Sequence, residues 1–361
     1  MQTRSVLRFL HATNFRLGQV VSGVGDVPAT LKRQLLEAPW RSAEAIFDQA
    51  IAHEVDFVLI NGDIVPDGIE QVRTLSFLLT QFEKLHQYGI EIYWRTEPTA
   101  RDEWNAYFEW PGNVHFVSEN SDFTVTNETA HLATVTGSGR NRSELFTVFL
   151  PNSSSTNVSA DYTAACGTQR SDSVQAGHTV HCPGATQGLS FLEPGPHGCS
   201  LIELDHNNCV SISFLETNAV SWDTLRVTLP GTTATLEATL REHAARPANG
   251  TRLLSFVLDS QDTTSALNLE TVDLPALRQR LQSTTHAEHD YWVCRIDLGA
   301  GMTVAPGTVH EDGCLSDFRQ LVHHRGEDFT RTLSAQRALL TTTPQTQLLS
   351  QVTRLGAELL S

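Results

Sequence analysis

The sequence predicts an α/β fold, a parallel sheet covered by helices, followed by short strands and a smaller α/β unit. Three observations carry this. "DFVLINGD" (56–63) has a continuous rather than alternating apolar run, Phe57 to Ile60, which suits a strand covered on both faces. Between 70 and 88, Val72, Leu75, Leu78, Leu79, Phe82 and Leu85 recur at three- and four-residue spacing, and Gly89 follows as a stop. Strand, helix and strand then repeat twice in order, which implies parallel pairing with helical crossovers.

Taken in order, "SVLRFLHATN" (5–14) reads as the first strand and is too short for the apolar core of a secretory leader. Residues 19–39 read as a loop with a short helical piece. Ser42 then caps a helix to about His53, with Ile46, Phe47, Ala50 and Ile51 on its buried face. Gly62 turns the chain tightly after the strand at 56–61 and leaves Asp63 at the strand's C-terminal edge, where ligands of open α/β sheets gather. "IEIYW" (90–94) is a third buried strand. From about 114 the texture becomes short strands and turns: "VHFVS", "FTVTN", "HLATVTG", "LFTVFL". "GCSLIELD" (198–205) and "CVSISFLE" (209–216) read as a hairpin closing that layer. After Trp222 come a strand "TLRVTL", a helix over 235–246, a strand "RLLSFVLD", a helix "LPALRQRLQ" and a strand "YWVCRIDL", and the tail past about 315 reads as helical.

The chain has 361 residues and a formal net charge of -16, which argues against autonomous, non-specific DNA binding. Its six cysteines form no CxxC pair, so a zinc ribbon or redox motif is not indicated. No apolar run is long enough to span a membrane. A cytoplasmic protein with free thiols is expected.

Four stretches together resemble one family. They are "FLHATNFRLG" (9–18), "DFVLINGD" (56–63), "YGIEIYWR" (88–95) and "PGATQGLSFLEPGPHGCSLIELD" (183–205). They resemble the calcineurin-like metallophosphoesterases, and within them the bacterial SbcD-type DNA-repair exonuclease subunits. The resemblance implies a four-layer α/β/β/α sandwich over 1–220, a capping domain over 221–315 and a helical tail over 316–361. It also implies two manganese or similar divalent ions clamping a phosphodiester, a coiled-coil ATPase partner of SbcC type, and self-association. Two such cations roughly 3.5–4 Å apart need a dense ligand set with a bridging carboxylate.

That ligand set is mostly replaced. On the family's motifs the first Asp falls on Asn14 and the first His on Arg16, while the bridging carboxylate survives as Asp63. Gly-Asn-His-Asp falls on "RTEPT" (95–99), which contains Glu97; the lone His falls on Asn152; Gly-His-x-His falls on "CGTQ", with Gly167 and Gln169 at the histidine positions. Arg16 brings a fixed cation with no lone pair to offer. The expectation is therefore a binding or scaffold subunit without catalysis and without a metal. In it Arg16 pairs with Asp63, and Asn14, Asn152 and Gln169 complete a polar cluster. Two alternatives stand beside it. One is an active phosphodiesterase with an atypical metal on Asp63, Glu97 and Asp67; the other is a phosphate-binding module using Arg16 and Arg95.

Other polar motifs read as structural. His11 is expected as a satisfied core histidine. His178 and His181 of "HTVH" sit three apart on a strand and face opposite ways. "HAEHD" (286–290) and His323–His324 read as solvated, and "TGSGRNR" (136–142) lacks the Lys-Ser/Thr of a phosphate loop.

Overall fold

A computed structural model describes residues 7–66, 68, 70–126, 131–138, 145–151, 160–175, 178–229, 232–246, 250–259, 272–283 and 291–299. The first half follows the expected alternation: β1 (Leu7–Thr13), α1 (Ala29–Ala52), β2 (Phe57–Asn61), α2 (Glu70–Gln87), β3 (Glu91–Arg95), α3 (Pro98–Asn105) and β4 (Val114–Val117). Strands β1 to β4 pair in parallel. The strands β5 (Asp122–Thr126), β6 (His131–Thr136), β7 (Phe146–Phe149), β8 (Tyr162–Ala164), β9 (Ser171–Gln175) and β10 (His178–Cys182) make a second six-stranded sheet, ordered β5-β6-β7-β8-β10-β9.

The continuous apolar run of β2 has the predicted cause. Val58 and Ile60 pack with Phe47 of α1 and Leu78 and Phe82 of α2, whereas Phe57 and Leu59 face Val135, Val148 and Tyr162 of the second sheet. Phe9 stacks on Phe57 at 4.7 Å between ring centres, so adjacent strands are tied within the inter-sheet core. Each such side chain contributes about 1.5–3 kcal/mol by leaving water. Three layers are thus built from described residues: helices, first sheet, second sheet. The second half of α1, with α2 and α3, buries its apolar side chains in the first core, and none of the described helices reaches into the inter-sheet core.

Four expectations need correction. Helix α1 begins at Ala29, not at Ser42, and runs through Pro39. Leu31, Leu35, Ala38 and Ser42 keep helical spacing on its buried face, and that burial outweighs the amide hydrogen bond lost at the proline. The hairpin of β11 (Gly198–Leu204) and β12 (Val210–Glu216) joins the first sheet, not the second, giving the order β12-β11-β1-β2-β3-β4. Strand β4, grouped by its texture with the short strands, also pairs in the first sheet. Finally, Val72 of α2 is 64% exposed, off the buried stripe.

The third sheet holds β13 (Val220–Thr228), β14 (Thr251–Asp259) and β15 (Tyr291–Leu298), all parallel, with α4 (Thr233–Ala244) and α5 (Leu274–Ser283) as crossovers. Leu236 and Leu240 of α4 and Leu277 and Leu281 of α5 fill its core. Trp222, Leu253 and Trp292 pack with Val21, Leu31 and Leu35, which fastens this sheet to the first half of α1. The expected tail at 316–361 lies outside the described residues. No described helix is long and apolar enough to cross a membrane. The five cysteines among the described residues are free thiols.

Candidate functional site

Because β1, β2 and β3 run in parallel, their C-terminal loops open on one edge: Asn14–Leu17, Gly62–Val65 and Arg95–Glu97. The backbone itself couples two of them, with Asn14 N–H donating to the Asn61 carbonyl at 3.1 Å and Arg16 N–H to the Asp63 carbonyl at 3.0 Å. Gly62, with φ +82°, allows the close approach: a Cβ there would meet Asn14 Oδ1 at 2.3 Å and Thr13 Oγ1 at 2.7 Å. Gly62→Ala is expected to cost about 2 kcal/mol from left-handed strain plus that clash, read as a lowered urea midpoint with unchanged slope.

Asn14 is used at both ends. Its amide nitrogen donates to the Gly167 carbonyl at 2.7 Å, and its Oδ1 accepts the Asp63 N–H at 2.7 Å. It therefore stitches the β1 and β2 loops to the segment carrying Gly167.

Arg16 does not pair with Asp63. Its guanidinium makes a two-pronged ion pair with Glu193, Nη1 to Oε1 and Nη2 to Oε2 both at 2.8 Å, and Nη2 also donates to the Gln187 carbonyl at 2.7 Å. The exposed Asp63 carboxylate instead accepts from half-buried Gln19 Nε2 at 2.7 Å. The physical reason is reach and matching. Glu193 already accepts the Leu189 N–H within a loop passing beside β1, and a planar fork prefers a fixed bidentate carboxylate. Burial alone would raise the Glu193 carboxyl, but its hydrogen bonds from Arg16 and Leu189 hold it below the usual range. Both Asn14 (φ +52°) and Arg16 (φ +48°) lie in the left-handed region, which arginine rarely adopts, so surrounding contacts enforce this turn.

Gln169 is exposed and makes no side-chain hydrogen bond among the described residues, so the expected polar cluster does not include it. Asn152 and Asp67 lie outside the described residues. Asp63, Arg95 and Glu97 do converge, on a cleft of about 400 Å³ also lined by Trp104 and Cys166. Burial pushes the Cys166 thiol up.

These residues do not fit the pair of divalent ions implied by the resemblance. Asn14 Oδ1 is spent on a backbone N–H, Arg16 brings a cation, and Gly167 and Gln169 bring no imidazole. Among the described residues no group of three His, Cys, Asp or Glu side chains converges on a metal position.

His11, His178 and His181 are each hydrogen-bonded within the fold. Buried His11 accepts a hydrogen bond from the Tyr162 hydroxyl on Nδ1 at 2.9 Å and donates from Nε2 to Asn61 Oδ1 at 3.3 Å; Asn61 Nδ2 in turn donates to the Ala164 carbonyl. Buried His181 is fixed by Asp172 and by Ser200 Oγ at 2.8 Å. Half-buried His178 contacts the Ala160 carbonyl and Thr163 Oγ1. The "HAEHD" and His323–His324 motifs lie outside the described residues.

Sequence reading missed Gln19, Gln187 and Glu193. Gln187 and Glu193 stand in the quoted stretch 183–205, but its glycines and prolines drew attention to loop shape rather than to the carboxylate inside it.

No family model matches the chain. It is 31% identical over 114 residues to the uncharacterized metallophosphoesterase YhaO of Bacillus subtilis (strain 168), covering 31% of this chain and 28% of that protein. The chain thus spans under a third of the relative's length. A solved structure, TT1561 of Thermus thermophilus, superposes at a TM-score of 0.36 with 11% identity over 58% of this chain and 99% of that one. The sequence match is thus to a metallophosphoesterase over under a third of either chain, and the architecture is a mixed α/β fold.

Proposed function

We propose that this chain is a metallophosphoesterase-like pseudoenzyme, related to the SbcD-type subunits, that acts by binding rather than by hydrolysis. One observation carries the reading. The side chains at the first two former ligand positions are committed to the protein itself, Asn14 to Gly167 and Asp63, Arg16 to Glu193 and Gln187. Donors tied into the walls cannot turn toward a metal without breaking buried hydrogen bonds. In this reading the site has become a structural clamp, and the chain serves as a scaffold or regulatory subunit. A coiled-coil ATPase is the partner suggested by the resemblance.

The test joins two measurements on the purified chain: metal content by mass spectrometry, and Mn²⁺-dependent hydrolysis of bis(4-nitrophenyl) phosphate. Substoichiometric metal and no turnover above buffer are expected. Stoichiometric metal with turnover abolished by Asp63→Ala would establish instead an enzyme with an atypical centre on Asp63 and Glu97.

A further inference from the structure

We propose that the cleft beside Arg95 is a metal-free pocket for a small molecule bearing one phosphate or carboxylate group together with an ammonium or hydroxyl group. This deepens the binding role above and rests on the same cleft holding no metal pair.

Arg95 ends β3 and is 8% exposed. Its hydrogen bond runs from Nη1 to the Val117 carbonyl at 3.2 Å, and among the described residues its buried Nε has no acceptor. Among the described residues no carboxylate lies in ion-pair distance of it, unlike Arg16, Arg252 and Arg8. A guanidinium stays charged, so a buried one without a counter-charge is costly until an anion arrives. It faces a cleft of about 400 Å³, the size of a small-molecule site.

Two further donors belong to the same wall. Helix α3 starts at Pro98 with Glu97 as its N-cap, yet among the described residues no side chain caps it, which leaves its positive dipole end and first-turn N–H groups at the cleft. Trp104, 6% exposed, has its Nε1 without an acceptor. Asp63 and Glu97 line the cleft as well. They oppose a bare dianion and favour a ligand that presents an ammonium or hydroxyl to them while its anionic group meets Arg95.

The test uses the full chain in EDTA at fixed ionic strength. Inorganic phosphate, phosphoethanolamine, acetate and glycine are titrated separately, read by calorimetry and by the emission of Trp94 and Trp104. Saturable binding is expected, tighter for the ammonium-bearing member of each pair; the stronger pair identifies the anion. Arg95→Met should weaken the better probe at least about tenfold, and Glu97→Gln should tighten phosphate by about threefold or more. If Arg95→Met fails to fold, Arg95→Lys and Glu97→Gln carry the test, since the first keeps charge without the fork and the second alters a half-open wall. No saturable binding by any probe, or affinities unmoved by Glu97→Gln and by the Arg95 variants, would overturn the proposal. Binding that needs Mn²⁺ and vanishes in EDTA would overturn it together with the metal-free reading. Absent binding with no metal taken up would overturn it alone.

Discussion

Arg16→Ala is expected to lower unfolding free energy by about 3 kcal/mol, read as a fall in the urea midpoint at constant slope. The side chains of Arg16 and Glu193 are only 11% and 19% exposed, so removing one leaves the other charge poorly hydrated. The Gln187 carbonyl would lose its Arg16 donor in the same step. Glu193→Ala should cost about as much, and the double variant less than the sum by more than about 1 kcal/mol, the coupling of a pair in contact. Arg16→Gly should be milder than Arg16→Ala, because glycine accepts the positive φ without strain. Asp63→Ala should fall within about 0.5 kcal/mol of wild type, since its carboxylate is exposed and among the described residues is hydrogen-bonded only to Gln19. If Asp63→Ala were instead as damaging as Glu193→Ala, the pairing described above would be wrong.

The second large effect is a loss of stability in mild acid. Burial, helped by the nearby His181, lowers His11 from 6.5 to about 3, against the opposing Asn61 hydrogen bond. Burial also lowers His181, although Asp172 pulls the other way. Both rings are therefore neutral in the fold, while in the unfolded chain they take up protons near pH 6.5. Between pH 6.5 and about 3 the unfolded state binds more protons at His11, so stability drops as pH falls through that window. The slope is up to about 1.4 kcal/mol per pH unit for each such histidine. Above pH 7 the two contribute no pH dependence. Urea midpoints from pH 7.5 to pH 4.5 should fall for wild type and fall less steeply for His11→Gln, which removes the titration but keeps a donor and an acceptor for Asn61 and Tyr162. Parallel profiles for the two proteins would contradict this origin.

The pattern of the sequence carried the alternating first half well because periodicity reports burial directly. Phe57 to Ile60 are apolar on both faces since helices cover one side and the second sheet the other. Strand partnership was not legible. Strands β4 and β11 look like their short neighbours, and only long-range register, such as Phe9 opposite Ile202, places them beside β3 and β1. Pro39 misled because a proline reads as a break, whereas the buried stripe of Leu31, Leu35 and Ala38 holds the helix through it. At the site, residue identity carried only an expectation, that Asn14 and Arg16 stand where the resembled motifs place aspartate and histidine. Where Arg16 would turn was not in the local sequence. Its partner lies 177 residues on, in a loop whose path depends on the whole sandwich.

The central claim is that the cleft edge at Asn14, Arg16 and Asp63 is wired for structure and holds no metal pair. Anomalous diffraction at the manganese edge, from crystals of the intact chain soaked in Mn²⁺, tests it most directly. The account predicts no anomalous peak at Asp63, with Arg16 still forked onto Glu193. Two peaks beside Asp63, with Arg16 displaced, would contradict it.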